Sequence, residues 1–152
     1  MSKKSPRSIK KVIDKEIYTG FLYRAIAWII DIALIYFITW ILFIFVFIIF
    51  NYFLLHFVAY IIGFFYFTLL ETYNKGQTLG KLIFHIKSVN EETMEVETLQ
   101  GNIVNSLLKC NWITCIFDFT IGIIKNYGDQ KKKIRIMQNL SNIVVISSKK
   151  KP

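Results

Sequence analysis

Residues 25–70 decide the fold of this chain, and they read AIAWIIDIALIYFITWILFIFVFIIFNYFLLHFVAYIIGFFYFTLL. Within these 46 residues Asp31 carries the only formal charge, and His56 is the only other titratable side chain apart from tyrosines. As a helix the stretch would extend about 69 Å, whereas the hydrocarbon core of a bilayer is about 30 Å thick. It therefore predicts two transmembrane helices joined by a tight turn, which we place near Asn51.

The composition favours a membrane protein over a soluble domain or a secreted one. Hydrophobic residues make up 54% of the chain and aromatic residues 16%, which leaves a soluble domain too little polar surface. A cleaved signal peptide is a poor explanation, because the apolar run is too long and no small-residue cleavage site follows it. Strands of a membrane barrel would alternate in polarity, and this run does not.

We predict an α-helical membrane protein with one domain, at residues 18–146, between two basic tails. The tails cover residues 1–17, placed in the cytoplasm, and 147–152. Within the domain we predict helices at about 21–49, 52–72 and 103–124 and a small cytoplasmic β-hairpin at about 81–98. The apolar residues 143–146 predict a short strand able to join that hairpin.

The third apolar segment leaves two topologies open. Residues 103–124 carry Lys109 and Asp118, which make a lipid-facing span costly. A full third crossing would also place the basic C-terminal residues outside, against the positive-inside rule. We therefore expect an amphipathic or re-entrant helix rather than a spanning one.

Positive charge lies at the edges of the apolar segments. The net charge is +9, with basic clusters in the first 15 residues and at 131–135. Lysine and arginine at helix edges set orientation and attract anionic lipid headgroups. The pattern predicts a multi-pass protein of the cell membrane with a cytoplasmic N-terminus, and it does not resemble a nucleic-acid-binding groove.

Asp31 is the strongest candidate for a site inside the membrane. An aspartate at the bilayer centre costs about 2.5–3.5 kcal/mol on insertion scales, so we expect it to face protein rather than lipid. Arg24 lies seven residues earlier on the same helical face, about 10.5 Å away along the axis. We expect a bridge between them through water or a second residue. The pair predicts either a cation or proton site or a structural ion pair that holds helices in register.

Two further polar faces accompany this pair. In the second helix, one face carries His56, Tyr60, Gly63, Phe67 and Glu71. There Gly63 predicts close helix packing, and Glu71 is placed to meet a basic group.

In the third segment, one face carries Asn111, Thr114, Asp118 and Lys125. This face predicts either the wet side of an interfacial helix or a buried cluster that joins Asp118 to Arg24 or Asp31.

No motif for catalysis, metal binding or cofactor binding is present in the sequence. The stretch Gly76-Gln77-Thr78-Leu79-Gly80-Lys81 looks like a phosphate-binding loop, but it has three residues between the glycines instead of four, and Leu82 follows the lysine. We interpret it as a turn at the membrane surface. Cys110 and Cys115 point about 140° apart on a helix, which suits packing. We expect no enzymatic activity, no cofactor and no bound metal.

These residues together resemble the RDD family of small, mostly prokaryotic integral membrane proteins. The resemblance covers about residues 18–146: Arg24 and Asp31 seven residues apart, the motif turn with Gly76, Gln77, Thr78, Gly80 and Lys81, and the downstream helix with Asp118. Where the family commonly has Arg-x-x-Asp, this chain has Arg135 and Gln138, which puts the role of that carboxylate in doubt here.

Two functional hypotheses follow. The resemblance implies cation or proton exchange, and because two or three helices enclose no pathway by themselves, this requires a homo-oligomer or a membrane partner. The alternative is a non-catalytic membrane scaffold or accessory subunit with a structural Arg24–Asp31 pair.

Overall fold

The computed structural model describes residues 18–46, 52–127 and 133–148. The predicted tail at 1–17, the turn near Asn51 and the last four residues of the predicted C-terminal tail lie outside these ranges. The helices are α1 (Phe21–Val46), α2 (Tyr52–Tyr73), α3 (Leu79–Ile83), α4 (Leu99–Ser106), α5 (Trp112–Lys125) and α6 (Ile136–Leu140), and the strands are β1 (Ile86–Asn90) and β2 (Ile143–Ser147).

The two long helices have the length and surface of membrane spans. Residues Phe21–Ile44 and Phe53–Tyr73 are both long and apolar enough to cross a bilayer. Only 28% of the most apolar 18 residues of the first, and 22% of those of the second, are buried inside the protein. The core helix of a soluble protein would be mostly buried, and a signal sequence does not account for a second such helix in mid-chain. The two predicted helices are confirmed, and their exposed apolar faces indicate a membrane location.

The predicted hairpin at 81–98 is wrong, because β1 pairs with a different strand. It runs antiparallel to β2, with Ile86 opposite Ser147 and Asn90 opposite Ile143. Residues 143–146 are all buried and bring a fully apolar strand to this sheet. The segment after Asn90 instead forms a tight turn, in which the Asn90 side chain accepts hydrogen bonds from the backbone of Glu92 and Thr93. The predicted C-terminal strand is therefore β1's partner.

The third segment is two helices, not the one continuous helix predicted at 103–124. Helix α4 ends at Ser106, and α5 begins only after Asn111, whose side chain caps it by accepting from the backbone N–H of Ile113. The break between them turns the Lys109 side chain inward to a buried carboxylate. Helix α5 has 14 residues, about 21 Å, which is short for a hydrocarbon core of about 30 Å.

The break also packs against the predicted polar face of α2. A Cβ added at Gly63 would lie 3.0 Å from the Cys110 carbonyl oxygen, so the absence of a side chain lets α2 approach this loop closely. The Tyr60 hydroxyl donates to the Leu107 carbonyl at 2.9 Å. The close approach predicted at Gly63 is present, but its partner is the loop at 107–111 and not a neighbouring helix.

The small elements gather at the end of the helical pair where α1 begins and α2 ends. Helix α3 packs against α1 so closely that a Cβ on Gly80 would lie 2.1 Å from the Ala27 carbonyl oxygen. The sheet is joined to the start of α1, because Thr19 donates its N–H to the Val145 carbonyl at 3.1 Å. This arrangement places α3, the sheet and α6 around the buried charges of α1 and α2.

Candidate functional site

Asp31 is buried and accepts three hydrogen bonds from elements far along the chain. The Thr78 hydroxyl donates to Oδ2 at 2.6 Å. The Tyr66 hydroxyl and the Gly80 N–H donate to Oδ1 at 2.7 and 2.8 Å. The motif turn at 76–81 is therefore more than a turn at the surface. Its residues Thr78, the N-cap of α3, and Gly80 bind the membrane aspartate of α1.

Arg24 is held by a different partner from the one predicted. Its Nη2 donates to the Gln138 side-chain oxygen at 3.0 Å. The same oxygen accepts from the backbone N–H groups of Ile134 and Arg135. Among the described residues, then, Asp31 takes its donors from α2 and the motif turn, and Arg24 donates to the N-terminus of α6.

Glu71 forms the densest charged contact in the described part of the chain. It is fully buried and accepts from the Lys81 ammonium at 2.7 Å and from the Lys109 ammonium. The Asn105 amide donates to its second oxygen at 2.9 Å. The prediction that Glu71 meets a basic group is confirmed. The contact joins α2, α3, α4 and the break before α5.

Asp118 is buried on the inner face of α5 and pairs with Arg135. The Arg135 guanidinium donates to Oδ2 at 3.3 Å, and the Met137 N–H donates to Oδ1 at 3.0 Å. Arg135 also donates to the side chain of Asn105, which links this contact to Glu71. Of the predicted stripe on α5, Asp118 is buried, whereas Lys125 is exposed.

These contacts surround a cavity of about 250 Å³ between α1, α5 and the sheet, which we call the basic cavity. Its polar wall is buried and includes Arg24, Asp31, Lys81, Lys109, Arg135 and Gln138. Its apolar wall includes Phe21, Ile29 and Ile116, each roughly half exposed at the protein surface. The cavity therefore has an apolar entrance and a charged interior. Arg24 and Asp31 share its wall without sharing a hydrogen bond.

Comparison with models of protein families identifies the family of this chain. The model of the RDD family matches residues 18–133, about three quarters of the chain. The chain belongs to the RDD family. The chain has no significant match among curated proteins or among solved structures. The match ends before Ile134, Arg135, Gln138 and Val145, so four residues of the cavity wall in this RDD protein lie beyond the matched region.

The carboxylates of this RDD protein are arranged as acceptors for internal donors. Asp31, Glu71 and Asp118 each accept at least two hydrogen bonds from side chains or backbone of the protein. Over residues 18–46, 52–127 and 133–148, no group of three or more His, Cys, Asp or Glu residues is placed to hold a metal ion. Such an arrangement is suited to holding helices, turn and sheet together.

Lys109 is a titratable group of the cavity wall whose pKa is shifted toward neutral pH. Burial, with repulsion from Lys81 and Arg135, lowers the pKa of its ammonium to about 7 in spite of Glu71. The unfolded chain keeps this proton up to a pKa of about 10.4. Between these values the unfolded state binds more protons, so the contribution of Lys109 raises the free energy of unfolding as pH increases.

We expect Lys109→Met to lose this part of the pH dependence. Thermal unfolding in detergent between pH 6 and 10 measures it, and the difference between wild type and variant isolates the contribution of Lys109. The exposed Lys125→Met is the matched control and keeps the wild-type slope. Equal slopes for Lys109→Met and wild type would contradict the lowered pKa.

The sequence identifies Arg24, Asp31, Glu71 and Asp118 as candidate site residues, but it does not identify most of their partners. In the sequence, Lys109 indicates only a cost to membrane insertion. Arg135 indicates only positive charge at the edge of an apolar segment, and Gln138 only a departure from the family pattern. A usable signal was available for Lys109, since a lysine inside an apolar segment requires a buried carboxylate, and Glu71 was the candidate. The partners of Asp31 gave no such signal, because a hydroxyl and a backbone N–H carry no charge to match.

Proposed function

We propose that this RDD protein is a non-catalytic membrane scaffold or accessory subunit in which the buried charges hold the small elements onto the helical pair. The observation that supports the proposal is that both oxygens of each of three buried carboxylates accept hydrogen bonds from internal donors. Asp31 accepts from α2 and the motif turn, Glu71 from Lys81, Lys109 and Asn105, and Asp118 from Arg135. A carboxylate engaged in this way has little coordination left for a transported cation.

The surface of α5 supports assembly at or within the membrane. Its inward face carries Cys115, Asp118 and Gly122, and its outward face is apolar and exposed. A short helix with this polarity lies in the interface or against another apolar surface. We propose an interfacial or re-entrant placement for α5, a cytoplasmic N-terminus, and assembly as a homo-oligomer or with a membrane partner.

Flux measurements on reconstituted protein test this proposal. Purified chain is placed in vesicles carrying a pH-sensitive dye, and proton movement is followed with sodium, potassium or no cation gradient. We expect no cation-dependent flux above that of protein-free vesicles. We also expect cross-linking in the native membrane to capture an oligomer or a membrane partner. Flux that disappears in Asp31→Asn, with folding and assembly intact, would replace the scaffold by a transporter.

Proton exchange is the second candidate because of one observation. Lys109 lines the cavity, contacts a buried carboxylate, and has a pKa lowered to about 7. A buried group that titrates near neutrality is able to load and release a proton at physiological pH. In the flux experiment this candidate requires proton movement that Lys109→Met abolishes and Lys125→Met does not.

A further inference from the structure

The charged groups that line the basic cavity are mostly cations, three of which are paired with buried carboxylates next to the wall. In the described part of the chain the wall carries four cations, Arg24, Lys81, Lys109 and Arg135, and a single carboxylate, Asp31. Both Asp31 oxygens already accept hydrogen bonds. Glu71 pairs with Lys81 and Lys109, and Asp118 pairs with Arg135. With these two buried carboxylates and Asp31 counted, the four cations exceed the carboxylates by one, so the interior of the cavity has a small net positive charge.

The side chain of Arg24 and the backbone of Arg135 both donate to one neutral group, the side-chain amide of Gln138. Gln138 Oε1 accepts from Arg24 Nη2 at 3.0 Å and from the backbone N–H of Arg135 at 3.2 Å. A carboxylate at this position would receive the same donors and would add a negative charge to the wall. The amide leaves the positive potential of the cavity in place.

The entrance restricts the kind of anion that reaches this interior. Phe21 and Ile29 of α1 and Ile116 of α5 line the cavity and are each about half exposed. They continue the exposed apolar surface of α1, which includes Leu22 and Ile26. A free hydrated anion is disfavoured along such a path, whereas an amphiphile keeps its apolar part on the helix surface while its charged part enters.

The volume of the cavity is suited to the headgroup of an amphiphile rather than to the whole amphiphile. The cavity measures about 250 Å³, whereas pockets that enclose drug-sized ligands measure about 300–1,000 Å³. Acyl chains therefore remain outside, along α1 and α5. Basic pockets between membrane helices are known to bind anionic headgroups.

We propose that the basic cavity binds the headgroup of an anionic phospholipid, with its phosphate among Arg24, Lys109 and Arg135 and its acyl chains along the apolar faces of α1 and α5. This site is distinct from attraction of lipid by the basic tails, because it depends on buried residues. It does not rest on the scaffold proposal, since a transporter with this cavity would bind the same headgroup.

The test compares two glutamine-to-glutamate variants of the full chain. Gln138→Glu adds a carboxylate to the cavity wall, and Gln100→Glu adds the same charge at an exposed position of α4. Native mass spectrometry of detergent-purified protein counts bound phosphatidylglycerol and phosphatidylcholine. We expect wild type and Gln100→Glu to retain phosphatidylglycerol in preference to phosphatidylcholine, and Gln138→Glu to bind phosphatidylglycerol about tenfold more weakly, from charge repulsion in a poorly solvated site.

A second pair of variants tests the proposal independently of whether Gln138→Glu folds. Ile116→Trp fills the entrance of the cavity, whereas Ile113→Trp enlarges an exposed residue on the same helix outside the lining. We expect only Ile116→Trp to lose phosphatidylglycerol. Equal retention of both lipids by wild type, or equal retention of phosphatidylglycerol across all four variants, overturns the proposal. Displacement of the lipid by millimolar inorganic phosphate overturns the lipid as occupant.

Discussion

Glu71→Gln is expected to lower the free energy of unfolding by about 3–5 kcal/mol, because it removes the carboxylate from a buried charged contact. Glutamine keeps the shape of the side chain and its hydrogen-bonding capacity. It leaves the ammonium groups of Lys81 and Lys109 buried without the anion that both contact. The loss should be largest below pH 7, where Lys109 keeps its proton, and smaller at pH 9, where Lys109 is able to neutralise.

Chemical denaturation in detergent micelles at pH 6 and pH 9 measures this loss. The exposed Glu95→Gln is the matched control and should change stability by less than about 0.5 kcal/mol. In the double variant Glu71→Gln, Lys109→Met, one unpaired cation is removed, so we expect part of the stability to return. A loss below about 1 kcal/mol at pH 6 would mean that the contact contributes little to the fold.

The parts of the fold that the sequence predicted are those set by hydrophobicity alone. The presence of two long helices, α1 and α2, follows from the length of the apolar run at 25–70. The charge of Glu71 likewise required a basic partner, and the structure supplies two. These predictions needed only the free energy of transfer from water to lipid and the cost of an unpaired charge.

The predictions that failed depended on long-range pairing. The residues after Asn90 alternate in polarity as a strand would, but β1 pairs with β2, more than 50 residues later, because residues 143–146 bury every side chain. Alternation identifies a strand-like segment without identifying its partner. The apolar run at 103–124 predicts one helix, and its break at 107–111 contains no proline or glycine that would indicate it. The break is instead fixed by the buried contact of Lys109 and by the cap at Asn111.

In the candidate site, too, the sequence predicts the buried charged residue but not its long-range partners. Asp31 was selected correctly as a buried group, while its three donors came from a loop and a tyrosine without any charge to signal them. Arg24 was paired with Asp31 because both lie on one face of α1. The structure places Gln138 against Arg24, and a residue 114 positions away is not predictable from helical periodicity.

Gly80→Ala is the second variant with a large expected effect, because it adds a side chain where the motif turn packs tightly against α1. A Cβ there would lie 2.1 Å from the Ala27 carbonyl oxygen and 3.1 Å from Cγ of Asp31. The Ala27 oxygen belongs to the backbone of a 26-residue helix and has little freedom to move. Helix α3 must therefore withdraw, and its withdrawal separates Asp31 from the Thr78 hydroxyl and the Gly80 N–H.

The expected loss in Gly80→Ala is about 3–5 kcal/mol, the sum of overpacking and of a buried carboxylate deprived of two donors. Thermal unfolding in detergent gives its size, and hydrogen exchange locates it: amides of residues 78–82 should lose protection while those in the middle of α1 keep theirs. Gly20→Ala is the matched control, because a Cβ there meets only the Tyr23 ring at 4.0 Å. Equal stability and equal exchange for the two variants would mean that the motif turn is not bound to Asp31 in the membrane-embedded protein, and the buried aspartate would then need other donors to stay inside the fold.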